Sequence, residues 1–164
     1  MTSAHTVFHS IVGRLDQPVF VVATRVLEER TGCLVGFATQ ASIDPPRFLV
    51  GLSTSNRTFR VATAAEHLAV HVLGRDQRPL ARLFGGETGD EVDKFSRCAW
   101  HDGPHGLPVL DGVPAWFSGR VVGRAALGDH VGFLLDPDGG ECHGELNDVI
   151  RHGDVRDLDA GHAP

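Results

Sequence analysis

Three stretches of the chain carry side chains able to do chemistry. Gly36 to Pro46 (GFATQASIDPP) joins small residues to hydroxyls and an amide. Small residues let a flat, polar-edged ligand approach the backbone, with peptide N–H groups and Thr39, Gln40 and Ser42 as its partners. A plain strand-to-turn exit explains the same composition. Ser53-Thr54-Ser55-Asn56-Arg57-Thr58 places hydroxyls and one guanidinium where a helix is expected to open. Free N–H groups and a cation at such an end suit a phosphate. An ordinary N-cap beside a surface arginine is the simpler alternative, because every helix needs a cap. Gly128-Asp129-His130 leads into a strand and can aim one imidazole at a ligand as a proton donor. A β-turn with a half-exposed histidine accounts for it equally well.

Other clusters are weaker. His5/His9, His67/His71 and His101/His105 are H-x-x-x-H pairs, but no H-E-x-x-H accompanies them and only the first falls on an expected helix. A zinc site needs three or four ligands, so no metal site is expected. Glu87-Thr88-Gly89-Asp90 lacks the Gly-Lys-Ser/Thr ending of a phosphate loop and is expected to be a flexible connector. Cys33, Cys98 and Cys142 are odd in number and far apart, which argues for reduced thiols and a cytoplasmic location. Nothing in Met1–Arg14 reads as a signal peptide, and no apolar run reaches the length of a membrane span. The net charge of −6 lies in the C-terminal part, which from Asp136 onward holds eight acids against two arginines. No Lys/Arg stripe tracks a phosphate backbone, so neither nucleic acid nor membrane is an expected partner.

The elements that must position these residues follow from periodicity. With 164 residues, 41% of them apolar, the chain is long enough for one domain with a sizeable core. Val7, Phe8, Ile11, Val12 and Leu15 recur at helical spacing, which predicts a short amphipathic helix ending before Pro18. Strands are predicted at Pro18–Thr24, Cys33–Thr39, Arg47–Leu52, His67–Leu73, Ala115–Val122 and His130–Leu135, with a weak candidate at Leu146–Ile150. Glu28–Gly32 reads as a turn, Asp44-Pro45-Pro46 as a break, and Glu87–Asp111 as a long loop with a small turn at Val92–Phe95. One helix is predicted from the Ser53–Asn56 cluster to Ala65, and another from an Asp76 cap through Phe84 to Gly85-Gly86. Six strands broken by short helices favour a mainly β protein built on an antiparallel barrel.

Taken in order, these stretches resemble the flavin reductase-like family of split β-barrel flavoproteins. The resemblance rests on Ser42-Ile43-Asp44-Pro45-Pro46, Leu52-Ser53, Ser55-Asn56-Arg57-Thr58, Ala69 to Leu73, Phe84 with Asp93-Lys94-Phe95, Pro108 to Gly112, and Gly128 to His130. It runs from about Leu15 to Asp136, and Gly153 to Leu158 also looks like a family ending. It implies a homodimer of six-stranded Greek-key split barrels over residues 1–152, followed by an acidic tail at 153–164. It also implies FMN, with FAD or a deazaflavin as alternatives, at the subunit interface. The family's ring and ribityl positions fall on Gly36, Phe37, Ala38, Thr39, Gln40, Ala41 and Ser42. Its phosphate positions fall on Ser53, Ser55, Asn56, Arg57 and Thr58, and Phe95 and His130 lie where it approaches the nicotinamide. Gly36 and Phe37 stand where many relatives carry Ser or Asn, which makes the ring environment more apolar. The implied activity is hydride transfer from NADH or NADPH to flavin, with His130 as the catalytic residue and a flavin-dependent monooxygenase as partner. A fixed-flavin oxidoreductase with its own substrate and a non-catalytic flavin- or haem-binding module are the alternatives.

Overall fold

The computed structural model describes residues 2–86 and 92–158. The predicted connector at Glu87–Asp90 and the tail beyond Leu158 lie outside the described residues. Helix α1 (Ala4–Val12) is capped by Ser3, whose hydroxyl accepts the Thr6 N–H. The strands are β1 (Phe20–Val26), β2 (Glu29–Val35), β3 (Ala38–Ser42), β4 (Arg47–Ser53), β5 (His67–Val72), β6 (Trp100–Asp102), β7 (Pro108–Leu110), β8 (Ala115–Ala126) and β9 (His130–Cys142). Two further helices, α2 (Arg57–Ala62) and α3 (Arg78–Gly86), fill the connections around β5.

Seven strands form one antiparallel sheet in the order β2-β1-β5-β8-β9-β4-β3, and β6 pairs with β7 as a separate hairpin. The predicted count of six is therefore corrected. The run Cys33–Thr39 is not one strand: Gly36 and Phe37 interrupt it, and its two halves become the end of β2 and the start of β3. The polar residues Glu29–Thr31, read as a turn, belong to β2, which pairs with β1 across a tight connection at Leu27-Glu28. Leu146–Ile150 is no strand either; Val149 and Arg151 make only single bridges, to Gly74 and Pro18.

Strands β8 and β9 run well past their predicted ends at Val122 and Leu135. Register shifts at Ser118/Gly119 and Val121/Gly123 bend this long pair, as bulges do. A side chain at Gly119 would meet the Leu135 Cβ at 2.8 Å, so the bend requires glycine there. The curved sheet brings β2 back against β4 and closes a barrel, with β3 left as an edge.

The continuous apolar run of β1 reflects burial on both faces. Val22 points into the barrel with Cys33, Val50, Leu52, Leu68, Val70, Phe133 and Leu135, under Ala62 and Ala65. Val21 and Ala23 point outward into a second core with Leu73, Phe84, Phe95, Leu110, Trp116 and Ile150. His71 stitches that outer core together. Its Nδ1 donates to the Val21 carbonyl at 2.9 Å, and its Nε2 accepts the Leu110 N–H at 3.1 Å.

The acidic C-terminal stretch, as far as Leu158, packs on the rest of the chain. Asp154 accepts the Arg151 N–H and ion-pairs with Arg75 and Arg78, while Asp157 reaches Arg82. Val155 packs on the outer core, and Leu158 lies beside Gly85.

Burial lowers the pKa of His71 from its ordinary 6.5 to about 4. The unfolded chain therefore binds the extra proton between these values, and stability falls as pH drops from 6.5 toward 4. Urea unfolding at a series of pH values is expected to show this slope. His71→Leu removes it and destabilises the protein at neutral pH by about 1–3 kcal/mol, the scale of a buried hydrogen bond left unmade.

Candidate functional site

A groove of about 590 Å³ opens along the exposed edge of the barrel, lined by Pro18, Phe20, Phe37 to Gln40, Phe48, Gly51 and Leu127 among others. Most of its lining is apolar, with Gln17, Thr39 and Gln40 as the polar members. Strand β3 pairs only with β4, so its outer backbone edge faces the groove's solvent side with N–H and C=O groups available to a ligand. Gly36 is open, its nearest neighbour in the direction of a side chain being His152 at 3.8 Å. Phe37, Thr39, Gln40 and Ala41 are exposed; Gly36, Ala38 and Ser42 are half-buried.

Strand β4 ties this edge to the other candidate residues. The Gly51 N–H donates to the Phe37 carbonyl at 2.7 Å, and a side chain at Gly51 would crowd Phe37 at 3.3 Å. On the opposite side of β4, Ser53 pairs with His130 in β9. The imidazole of His130 consequently lies against Phe37, with ring centroids 4.7 Å apart. Asp129 holds that imidazole at Nδ1, 2.7 Å away, and the same hydrogen bond lowers the Asp129 pKa. An ionised carboxylate can only accept, so Nδ1 carries the proton and Nε2 is left for a ligand. The Asp129 carbonyl in turn accepts the Thr54 N–H, locking the 128–130 turn to the end of β4.

Beyond Ser53 the chain enters α2. Asn56 caps it, accepting the Thr58 N–H at 2.8 Å. The helix ends at Ala62, short of the predicted Ala65, so its dipole is small. Ser53 Oγ and Ser55 Oγ sit 3.1 Å apart, and Arg57 reaches Glu29 at 3.0 Å. Thr58 is different: its hydroxyl is buried against that of Thr31 at 3.0 Å and faces inward.

Phe95 does not join this constellation. Its ring is buried in the outer core against Phe84 and Trp100. Composition could not show this, because an aromatic residue in a loop reads the same whether it faces a ligand or the core. Gln17, Phe48 and Leu127 line the groove without having been singled out in the sequence. They come from the entry to β1, the start of β4 and the turn before β9, and only the folded sheet joins them.

The groove and the Ser53–Arg57 corner are thus linked through the Phe37–His130 contact and the Ser53–His130 pairing, while Arg57 itself lines a separate hollow with Val26, Glu29 and Arg60. The comparisons agree on the class. The flavin reductase like domain matches residues 12–157, and the chain belongs to that family. It is 34% identical over 101 residues to the stachydrine N-demethylase reductase subunit Stc3 of Rhizobium meliloti, a match over 59% of this chain and 43% of that protein. It is 29% identical over 123 residues to the FMN reductase (NADH) RutF of Methylorubrum extorquens, over 75% and 60% respectively. The chain thus covers less than two thirds of either relative. Among solved structures, an FMN-binding protein of Thermus thermophilus superposes with a TM-score of 0.74 at 26% identity, covering 78% of this chain and 71% of that one.

Loss of the Asn56 cap is expected to loosen the Ser53–Arg57 corner. Asn56→Ala should lower stability by about 1 kcal/mol, the usual worth of an N-cap, as measured by urea unfolding of the flavin-free protein.

Proposed function

We propose that the chain is a flavin reductase that takes reducing equivalents from NADH or NADPH to FMN, with FAD as the alternative flavin. The observation that carries this reading is the register of β4, which pairs Ser53 with His130, the imidazole that lies against Phe37 of the groove. The residues fit the group. An isoalloxazine ring is flat, apolar on its faces and polar along one edge, and the groove offers Phe37 and Leu127 beside the unpaired edge of β3. Residues Gly36–Ser42 would hold the ring and ribityl chain. Ser53, Ser55 and Arg57 would hold the phosphate, with Asn56 and Thr58 keeping their geometry from within the cap. When bound, the flavin supplies the two-electron redox chemistry, and the protein's part is to position two ligands. His130, oriented by Asp129, would present Nε2 to the nicotinamide or to the flavin edge.

Names among the relatives support the activity and suggest a partner. One is an FMN reductase (NADH), and another is the reductase subunit of a demethylase. A flavin-dependent monooxygenase that consumes the reduced flavin is the partner proposed here. A second copy of this chain completes the site. Val7, Phe8, Ile11, Val12 and Leu15 of the N-terminal segment stand exposed, as do Phe37, Ile43 and Leu127 around the groove. Burial of these against a twofold mate would remove both apolar surface and the open strand edge.

Anaerobic mixing of the purified protein with FMN and then NADH or NADPH tests the activity. Bleaching of flavin absorbance with matching nicotinamide oxidation is expected; bound flavin that stays oxidised with both reductants would leave a binding module instead. Arg57→Ala should weaken FMN binding roughly ten- to a hundredfold, the scale of a charge-assisted hydrogen bond, while riboflavin, lacking the phosphate, binds as before. His130→Ala should slow turnover by much less than the ~100-fold minimum typical of losing a general acid, since its role is orientation.

A further inference from the structure

Outside the groove lining, one member of each of two H-x-x-x-H pairs meets a shared carboxylate. His67 opens β5, His105 sits in the Pro104–Gly106 turn, and Asp138 lies on the far half of β9, eight residues beyond His130. His67 Nε2 is 3.4 Å and His105 Nε2 is 3.2 Å from the same Asp138 Oδ2. All three ligand atoms lie within 4.8 Å of one another, the one such grouping among the described residues. The other members of the two pairs are engaged elsewhere: His71 in the outer core and His101 with Asp111.

We propose that His67, His105 and Asp138 form a binding site for a borderline divalent transition-metal ion such as Zn²⁺ or Ni²⁺, which pins the 103–107 turn to the barrel. Donor chemistry selects the ion class. Two imidazoles and one carboxylate suit zinc, nickel or cobalt, whereas magnesium and calcium prefer oxygen alone. The spacing suits it as well. Ligand atoms about 2.0–2.1 Å from zinc stand roughly 3.3 Å apart at the corners of a tetrahedron, and the two histidine–aspartate distances bracket that value. Water completes the coordination.

The surroundings hold the set in place. Ser118 Oγ donates to Asp138 Oδ1 at 2.6 Å, which turns Oδ2 toward the histidines. Orientation of a ligating carboxylate by a second hydrogen bond is the usual support for such sites. Buried Thr24 donates its hydroxyl to the His67 carbonyl at 2.7 Å and fixes the start of β5. At Gly139 a side chain would press on Ser118 Oγ at 3.2 Å, so glycine there leaves the serine–aspartate bond its room. His105 itself adopts φ +59°, a left-handed conformation that a residue with a side chain rarely takes. In that conformation its ring stacks on His67 at 3.6 Å. Stacked rings point their lone pairs side by side, and the half-exposed His105 on its turn is the ring that rotates to complete the coordination.

Calorimetric titration of tag-free protein with Zn²⁺ and with Ni²⁺ tests the site, with Co²⁺ absorption reporting ligand type. One equivalent is expected to bind, and His105→Ala and Asp138→Asn should each weaken it roughly tenfold or more, since loss of even a ligand's supporting partner costs that much. His143→Ala, outside the cluster, should bind as the parent does. His105 lies on an exposed turn, so its variant tests the site even if Asp138→Asn folds poorly. Absence of a one-equivalent binding event, or unchanged affinity in His105→Ala, would overturn the proposal and leave a hydrogen-bonded His–Asp–His cluster.

Discussion

The hydrogen bond from the Gly51 N–H to the Phe37 carbonyl fixes where the candidate site can be. Strand β4 has β3 on one side and β9 on the other, so its register decides which residues of both neighbours meet. Gly51 also pairs with Gly132 across to β9; the missing side chain at Gly51 leaves room for Phe37 and His130, and that at Gly132 for Leu49 and Leu127. A one-residue slip would send every side chain of β4 to the opposite face. Leu52 and Val50 would leave the barrel core, which their complete burial opposes. The core thus enforces the register, and the register assembles the site.

The same sheet divides the molecule into a buried and an unfinished side. Toward β1 and β5, both faces are covered: the barrel interior on one, and α3, the β6–β7 hairpin and the tail on the other. Toward β3, an edge strand stands open among exposed apolar residues. The tail reinforces the finished side through Asp154, whose pKa is lowered by the Arg151 N–H and by Arg75 and Arg78. The open side is thus the one that combines an unpaired strand edge with exposed apolar residues.

Much of this was legible in the sequence. Alternating and continuous apolar runs marked β1, β4, β5 and the cores of β8 and β9, because burial selects those residues directly. The Gly36–Ser42 and Ser53–Arg57 stretches stand out by residue type, and the fold links them through the Phe37–His130 contact and the Ser53–His130 pairing. Strand ends were less legible. The break at Gly36-Phe37 and the polar start of β2 depend on pairing partners distant in sequence. The far half of β9 is glycine-rich and polar and that of β8 exposed, and only their pairing with the buried first halves of the opposite strand makes them strands. Phe95 shows the same limit from the other direction: its motif is plain, yet its ring is committed to the core. The His67–His105–Asp138 grouping was out of reach, because its members come from β5, the Pro104–Gly106 turn and β9, far apart in sequence.

Hydrogen exchange with and without FMN tests most directly where the flavin binds. Amides of residues 36–42 and 53–58 should exchange more slowly once FMN is added, together with those of the 128–130 turn. The β6–β7 hairpin and the Pro104–Gly106 turn should be unaffected. Protection confined to that hairpin, or absent from residues 36–42, would contradict a flavin held along the edge of β3.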